Sequence, residues 1–408
     1  MLPLSGVKIL DVTHVIAGPF ASYQLCLMGA EAVRVERLGG NDFIRRHAGS
    51  DDLIAAGLGG SFSAQNAGKK CILLDLKDPR GRDVFLKLAA ESDVVIENYR
   101  PGVMDRLNVG YEDICTVKPD IIYCSLSGYG DVGPLKDSPA YDHIVQGMSG
   151  LMSMTGTPES GPQRAGLPIT DYIAGLTAAL AVTGALHQLK VSGEGQHLQV
   201  PMLSSVLAFM GTFAIDQQTT GRERGLEGNI PFSGSPFAGR FDAADGYLVV
   251  TANTSAQAVR MVTALGLDDL IPLAEQTSHL SEDERTIITS ALQAAFRRRT
   301  ATAWEDILGN VSVPAGKVRN LGDILAHPQT QASGCLDDLP LPGRDVPLKL
   351  PGLGFTSDAW KRAPLKQPDT AGESTQDVMR ALGYSAEEIA ALLLAGVIAA
   401  PDTLERVD

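Results

Sequence analysis

Basic residues are in deficit. The chain carries 34 lysines and arginines against 48 aspartates and glutamates, a net charge of −14 with a pI near 5.0. That excess of acid argues against nucleic acid or anionic membrane as a main partner. It leaves room for an anionic small ligand, because a local basic pocket can sit on an acidic protein. Cysteine is sparse: Cys26, Cys71, Cys115, Cys124 and Cys335 are odd in number, scattered, and include no C-x-x-C pair. A disulfide framework is excluded, and a reducing, cytoplasmic location is the expectation. The seven histidines form no H-x-x-x-H pair and no cluster with cysteine, so no metal site is expected. No apolar run of about 18 residues, the length a bilayer requires, is free of Gly, Thr or charge. The helix expected after Asp171 reads as too short to span, and the first residues lack the basic-then-apolar order of a signal peptide. A nicotinamide enzyme would carry a glycine fingerprint in its first strand-to-helix turn; here that turn reads His14-Val-Ile-Ala-Gly-Pro19 and lacks it. Gly128-Tyr-Gly-Asp-Val-Gly133 spells the fingerprint late in the chain, but Pro134 follows at once and no helix is expected to open there.

What is present is ordinary globular material, 44% apolar and 20% charged, long enough for two or three domains. Residues 7–12 read as a buried strand, followed by a loop and a helix from Phe20 to Met28 that Gly29 closes. Residues 31–37, 70–76, 93–98 and 120–126 read as further strands, and Asp78-Pro79 opens a helix running to about Ala90. This alternation predicts an α/β, doubly wound, Rossmann-like sheet with ligands at the carboxyl ends of the strands. Polar and basic groups stand at three of those ends: His14, Arg37 and Asn98-Tyr99-Arg100. Residues 202–215 read as a long apolar helix, and 217–226 change character into a linker. A smaller α+β domain is expected over 227–325. It has a hairpin at 239–251 turning on Asp245-Gly246, helices near 255–265, 282–297 and 302–308, and a capping box at Ser281 and Glu284. The tail is loop-rich to Pro368 and ends in a helix opened by Ser385 and Glu388.

The stretch from Ala165 to Leu186 draws the most attention. A Gly/Pro-punctuated approach ends at Thr170-Asp171, and a run of apolar and small residues follows. That run is apolar nearly all round and predicts a buried helix. Thr170 or Asp171 then serves as the helix cap. The alternative is that the helix start keeps the Asp171 carboxylate ionised while burial strips its water, which makes it a nucleophile. The stretch alone leaves both readings open.

Several motifs coincide across nearly the whole chain: Asp11-Val-Thr-His-Val-Ile-Ala-Gly-Pro19, Val33-Arg-Val-Glu-Arg37, Leu74-Asp-Leu-Lys77, Glu97-Asn-Tyr-Arg-Pro-Gly102, Ser127-Gly-Tyr-Gly130, Tyr141-Asp142 with Gln146-Gly-Met-Ser-Gly150, and Thr170-Asp171. In order and spacing they resemble the family III CoA transferases, the group that includes formyl-CoA transferase, the carnitine CoA transferases and the α-methylacyl-CoA racemases. The resemblance implies a large Rossmann-like CoA-binding domain formed by both chain ends (1–216 and 326–408), the smaller domain between them, and an interlocked homodimer. It places the family's nucleophilic aspartate on Asp171 and its CoA contacts on His14, Val15, Ala17, Arg37, Leu74, Lys77, Asn98, Tyr99, Arg106 and Lys136. Arg37, Lys77, Arg106 and Lys136 suit the phosphates of CoA, and Tyr99 and Leu74 suit its adenine. Acyl-CoA and a small carboxylic acid are the implied substrates, with no tightly bound cofactor. The Ile16–Ala17 backbone or the start of the Asp171 helix is the expected oxyanion donor, and Ser233-Gly-Ser235 is the expected water-excluding cover. A racemase would need a histidine directly before Asp142; Tyr141 stands there and His143 lies on the other side. The racemase is therefore the second reading, behind the transferase.

Overall fold

In the computed structural model, which describes residues 1–39, 42–231, 233–276 and 280–401, the chain parts into two compact units. The larger comprises Met1–Ser153, Arg164–Glu223 and Ala332–Asp408, and the smaller Met154–Gln163 and Arg224–Gln331. The sequence reading did not separate residues 154–163, which contain a short hairpin, Gly156–Thr157 with Gly161–Pro162, and go with the smaller unit. The stretch read as a linker, 217–226, begins inside the helix Gly211–Thr220.

The larger unit is built on a seven-stranded sheet. Its strands are β1 (Lys8–Val12), β2 (Glu31–Glu36), β3 (Lys70–Leu74), β4 (Val94–Glu97), β5 (Ile122–Ser127), β6 (Gln196–Pro201) and β7 (Ile398–Ala399). Their order is β7-β3-β2-β1-β4-β5-β6. The first six pair in parallel, and β7 closes the β3 edge in antiparallel fashion. The central strands are covered on both faces, which is why they read as continuous apolar runs. Strand order reverses between β1 and β4, so the crevice for a ligand lies at their carboxyl ends.

Helices cover both faces. On one side α1 (Ala17–Leu27) packs with the sheet around Ile9, Ala21, Ile96 and Cys124. On the other, α2 (Pro79–Ala90) packs Val84, Phe85 and Leu88 against Leu10, Ile72 and Val95. The Asp78 side chain accepts from Arg80 N–H and caps α2, with Pro79 at its first position. α1 begins three residues earlier than expected, at Ala17 rather than Phe20; Pro19 falls in its first turn, where the missing N–H removes no helical bond. Two further helices matter for the site: α3 (Asp142–Met148) and α4 (Ile169–Ser192).

α4 corrects two expectations. At 24 residues it is long and apolar enough to cross a membrane by length and composition, not too short as read from the sequence. It is the core helix of the larger unit, with Ala174, Ala178, Val182 and Ala185 buried against α1 and the sheet. Nor is it buried all round: Leu176, Leu180 and Val191 are exposed. The long helix expected over 202–215 is also two helices, Met202–Phe209 and Gly211–Thr220, parted at Met210.

The smaller unit has a three-stranded antiparallel sheet, Ala315–Lys317, Gly246–Thr251 and Ala238–Ala243. The helices Ser255–Ala264, Glu282–Phe296 and Ala301–Asn310 accompany it. Its own core gathers Phe237, Phe241, Phe296 and Trp304.

Candidate active site

The turn between β1 and α1 is held in a strained shape. Val15 has φ 66°, the left-handed region that a β-branched residue rarely enters. Two clamps fix it. The Asn98 side chain accepts from His14 N–H at 2.9 Å and donates to His14 C=O at 2.8 Å. The Asp42 carboxylate accepts from Val15 N–H at 3.1 Å. Asp42 is in turn held by Arg34 at 2.6 Å, and Arg34 also donates to Glu36 at 2.7 Å. Arg45 donates to the same Glu36. Burial alone raises the Glu36 carboxyl, but Arg34 and Arg45 outweigh it and hold it at about 2. Beneath the turn, buried Lys69 donates to Asp11, Ser22, Asn66 and the Pro19 carbonyl at 2.8–3.0 Å. Asp11 also takes Thr13 N–H and its hydroxyl. Burial opposes the Asp11 charge, and Lys69 and Arg34 overcome it and lower its carboxyl. A buried ionic network of this kind is costly to desolvate; here it fixes the backbone that the site stands on.

Two cavities open at the strand ends. One of about 510 Å³ is lined by His14, Val15, Arg37, Asn98, Tyr99, Arg100 and Lys136, among others. One of about 240 Å³ is lined by Arg37, Leu74, Lys77, Tyr99 and Arg106, among others. Arg37 and Tyr99 border both. Nine of the ten expected CoA contacts therefore lie around adjoining cavities at the point where strand order reverses. Ala17 lines neither; it is buried at the first position of α1. The side-chain amide of Asn98 is spent on the His14 backbone. Among the described residues Arg37, Lys77, Arg100, Arg106 and Lys136 make no ion pair, unlike the buried Arg34 and Arg45. The His14 ring leans on Tyr99, centroids 5.1 Å apart, and its buried Nδ1 has no hydrogen-bond partner among the described residues. Burial pushes the His14 imidazole down, toward the neutral form.

Asp171 is the third residue of α4, not its cap: Pro168 holds the cap position and makes no side-chain cap bond of its own. The cap comes from elsewhere. Asp142, at the start of α3, accepts from Thr170 N–H and from the Thr170 hydroxyl, both at 2.8 Å. Gln146, fully buried, donates to Asp142 at 2.7 Å and accepts from Ala165 N–H at 2.8 Å. The loop into α4 and its first turn are thus pinned by one face of α3. α1 and α4 both run back against the parallel strands, so both begin at the carboxyl edge of the sheet. They meet closely there: a Cβ on Gly175 would lie 2.7 Å from the Ala17 carbonyl, and Phe20 and Tyr172 pack edge to face at 4.9 Å. Asp171 precedes Gly175 by one turn on the same side, which sets it at the level of the first turn of α1. Burial, with the charge of Asp142 adding to it, pushes the Asp171 carboxyl up to about 7. That direction weighs against the reading in which the helix start keeps the carboxylate ionised, and near neutral pH it leaves Asp171 shared between two protonation states.

The profile of CoA-transferase family III matches residues 4–375. The chain belongs to this family. The transferase is 33% identical to the human succinyl-CoA:glutarate CoA-transferase over 97% of its own length and 90% of that protein. It is 32% identical to the acetyl-CoA:oxalate CoA-transferase of Acetobacter aceti, over 86% of this chain and 90% of that one. Among solved structures, a CAIB/BAIF family protein from Brucella suis superposes with a TM-score of 0.81 at 26% identity, covering 93% of the transferase and 99% of that chain.

Sequence reasoning missed the parts of the transferase that hold the site rather than touch a ligand. Asp142 appeared within a motif and as the neighbour of a racemase's missing histidine, Gln146 only within a motif, and neither was given a part in holding the start of α4. Arg100 was noted at a strand end and not carried into the CoA set. The network of Asp11, Arg34, Glu36, Asp42, Arg45 and Lys69 was unread. Its signal was there: Asp11, Arg34 and Glu36 interrupt otherwise apolar strands, and charge in a buried strand requires a partner. The Ser233-Gly-Ser235 stretch lies in the smaller unit, where Ser235 donates to the Ala252 carbonyl and accepts from Phe237 N–H.

Proposed function

We propose that the transferase moves CoA from an acyl-CoA thioester to a small dicarboxylic acid through covalent intermediates on Asp171. Succinyl-CoA as donor and a glutarate-like acceptor are the pair we favour, from the relatives acting on succinate and glutarate. The observation that carries the reading is a half-buried carboxylate at the start of α4, on the same sheet edge as cavities bordered by five cations that make no ion pair among the described residues. A 3′-phosphate and a pyrophosphate are what such cations suit.

The chemistry follows from what a carboxylate does to a thioester. Asp171 attacks the acyl carbonyl, the C–S bond breaks, and an aspartyl–acyl anhydride forms with CoA thiolate. The thiolate attacks the aspartyl carbonyl, releasing the donor acid and leaving an aspartyl-CoA thioester. The acceptor carboxylate attacks that thioester and frees thiolate again. The thiolate then attacks the acceptor's own carbonyl, giving the new acyl-CoA and restoring Asp171. Each oxyanion needs N–H donors, and the amides of Ala17 and Gly18, which the first turn of α1 leaves without an intrahelical partner, suit that role.

Incubating the enzyme with succinyl-CoA, quenching with hydroxylamine and weighing the Asp171 peptide tests the route. A hydroxamate at Asp171 is expected. Wild-type turnover with no adduct from any of a panel of acyl-CoAs would overturn it.

A further inference from the structure

We propose that Glu97 is a positioning residue for the CoA site, holding the turn after β4 through Tyr99 and exchanging its proton with solvent through Ser125 and His197. The inference rests on the CoA reading above and adds a control to it.

Glu97 ends β4 and is buried. Its carboxylate accepts from Tyr99 N–H at 2.8 Å. It also hydrogen-bonds with the hydroxyl of Ser125, its register partner on β5. Ser125 Oγ lies 2.9 Å from Nε2 of His197, which stands exposed on the edge strand β6. The imidazole is stacked on Tyr111 at 5.0 Å and meets Tyr123 edge-on at 5.2 Å. Buried carboxyl, hydroxyl and exposed imidazole therefore form one line from the interior to the surface. They border a third cavity of about 120 Å³, which shares Tyr99, Arg100 and Ser127 with the one of about 510 Å³. The proton path balances without a co-reactant. Protonated from solvent at Nδ1, His197 passes its Nε2 proton to Ser125 Oγ as Ser125 passes its own to the Glu97 carboxylate, leaving a neutral imidazole and a neutral carboxyl.

The two residues after Glu97 are the link to function. Asn98 clasps the His14 backbone, and Tyr99 borders both CoA cavities. An ionised Glu97 accepts charge-assisted bonds from Tyr99 N–H and Ser125, which are stronger than those a neutral carboxyl accepts. Other groups facing it are Asp105 from the helix Val103–Arg106, Tyr123 and Cys124 from β5, and Asp131 and Arg100 from the adjoining loops; β1 sets Val12 beside it. Burial pushes the Glu97 carboxyl up, Asp105 adds to that, and Ser125 and Tyr99 N–H oppose it, leaving it at about 7. The turn is thus held firmly above neutral pH and loosely below it.

The test is CoA affinity by calorimetry on the full chain from about pH 5.5 to about pH 8.5, either side of the Glu97 transition. Wild type is compared with Glu97→Gln, which fixes the neutral form. The ratio of the two dissociation constants cancels titration of the ligand. It is expected to fall from about five- to ten-fold weaker binding by the variant at the high end, the loss of a charged hydrogen bond, to near one at the low end. Ser125→Ala removes one bond to the ionised carboxylate and is expected to move the wild-type midpoint to higher pH, with kcat little changed. A ratio constant across pH, or an unmoved midpoint in Ser125→Ala, overturns the Glu97 role while CoA binding stands. No CoA binding by wild type at any pH would overturn the CoA reading itself.

Discussion

At the scale of single residues, Asp171 is the point on which the proposed chemistry turns, and its environment makes a testable demand on pH. Burial and Asp142 raise its carboxyl to about 7, and only the ionised form attacks a thioester. The rate of adduct formation at Asp171 should therefore rise with pH and level off above about 7. Replacing Asp142 by Asn removes the like charge while leaving a carbonyl for Thr170, so the single-turnover profile should move to lower pH. A midpoint that stays put would mean that Asp142 does not act on Asp171 through charge. Asp171→Asn should abolish transfer and leave CoA binding intact, read as activity against affinity. Arg37 borders both cavities and carries no ion pair among the described residues, so Arg37→Ala should weaken CoA binding about ten-fold, steepen with the phosphate count of the ligand, and leave kcat nearly unchanged. Residues of this kind were legible in the sequence because they stand at strand ends, where a doubly wound sheet gathers its ligand. Asp42, Asp142 and Gln146 were not, because each acts on the backbone of a segment far away in sequence. No local pattern announces that Asp142 will cap a helix that starts at Ile169.

At the scale of elements, the approach of α1 to α4 sets the geometry. Gly175 lets α4 come so close to α1 that an added Cβ would lie 2.7 Å from the Ala17 carbonyl and 2.9 Å from the Phe20 ring. Gly175→Ala should push the helices apart. A cost of about 1–3 kcal/mol in stability is expected from such overpacking, measured by urea unfolding. Because Asp171 sits one turn away, adduct formation should fall by more than CoA affinity does. Equal loss of both would mean the substitution acts through folding alone. The strands and most helices were readable from apolar runs and caps: Asp78-Pro79, Ser281 with Glu284, and Ser385 with Glu388 all open helices where expected. The break at Met210 was not, since an apolar run continues through it. The capping of α4 was misread for a similar reason. Thr170-Asp171 has the chemistry of a cap, but the hydroxyl of Thr170 is drawn to Asp142 instead.

At the scale of the whole molecule, the apolar residues that α4 and its neighbours leave in water call for a partner. Leu180 is 74% exposed, Phe209 65% and Ile215 63%. Leu176, Met148 and Ile144 are exposed as well, all within the larger unit. Single exposed leucines are normal, but an apolar surface spread over consecutive helices usually marks an interface. α4 shows why the sequence suggested a fully buried helix: its outer face carries Leu176 and Leu180 as well before it turns polar at His187, Gln188 and Lys190, and one chain covers only the inner face. We propose that a second copy covers the outer face, in the interlocked homodimer that the family resemblance implies. Light scattering on the purified chain should then give about twice the mass of 43.1 kDa. Leu180→Glu combined with Phe209→Glu would place two charges in the proposed interface. Burying an unpaired charge costs several kcal/mol, so the double variant should elute as a monomer or fail to assemble, while the surface control Leu394→Glu, at 92% exposed and on a different helix, should remain dimeric. A wild type that scatters as a monomer at every concentration would remove the partner from the argument. The exposed face of α4 would then be a property of the single chain.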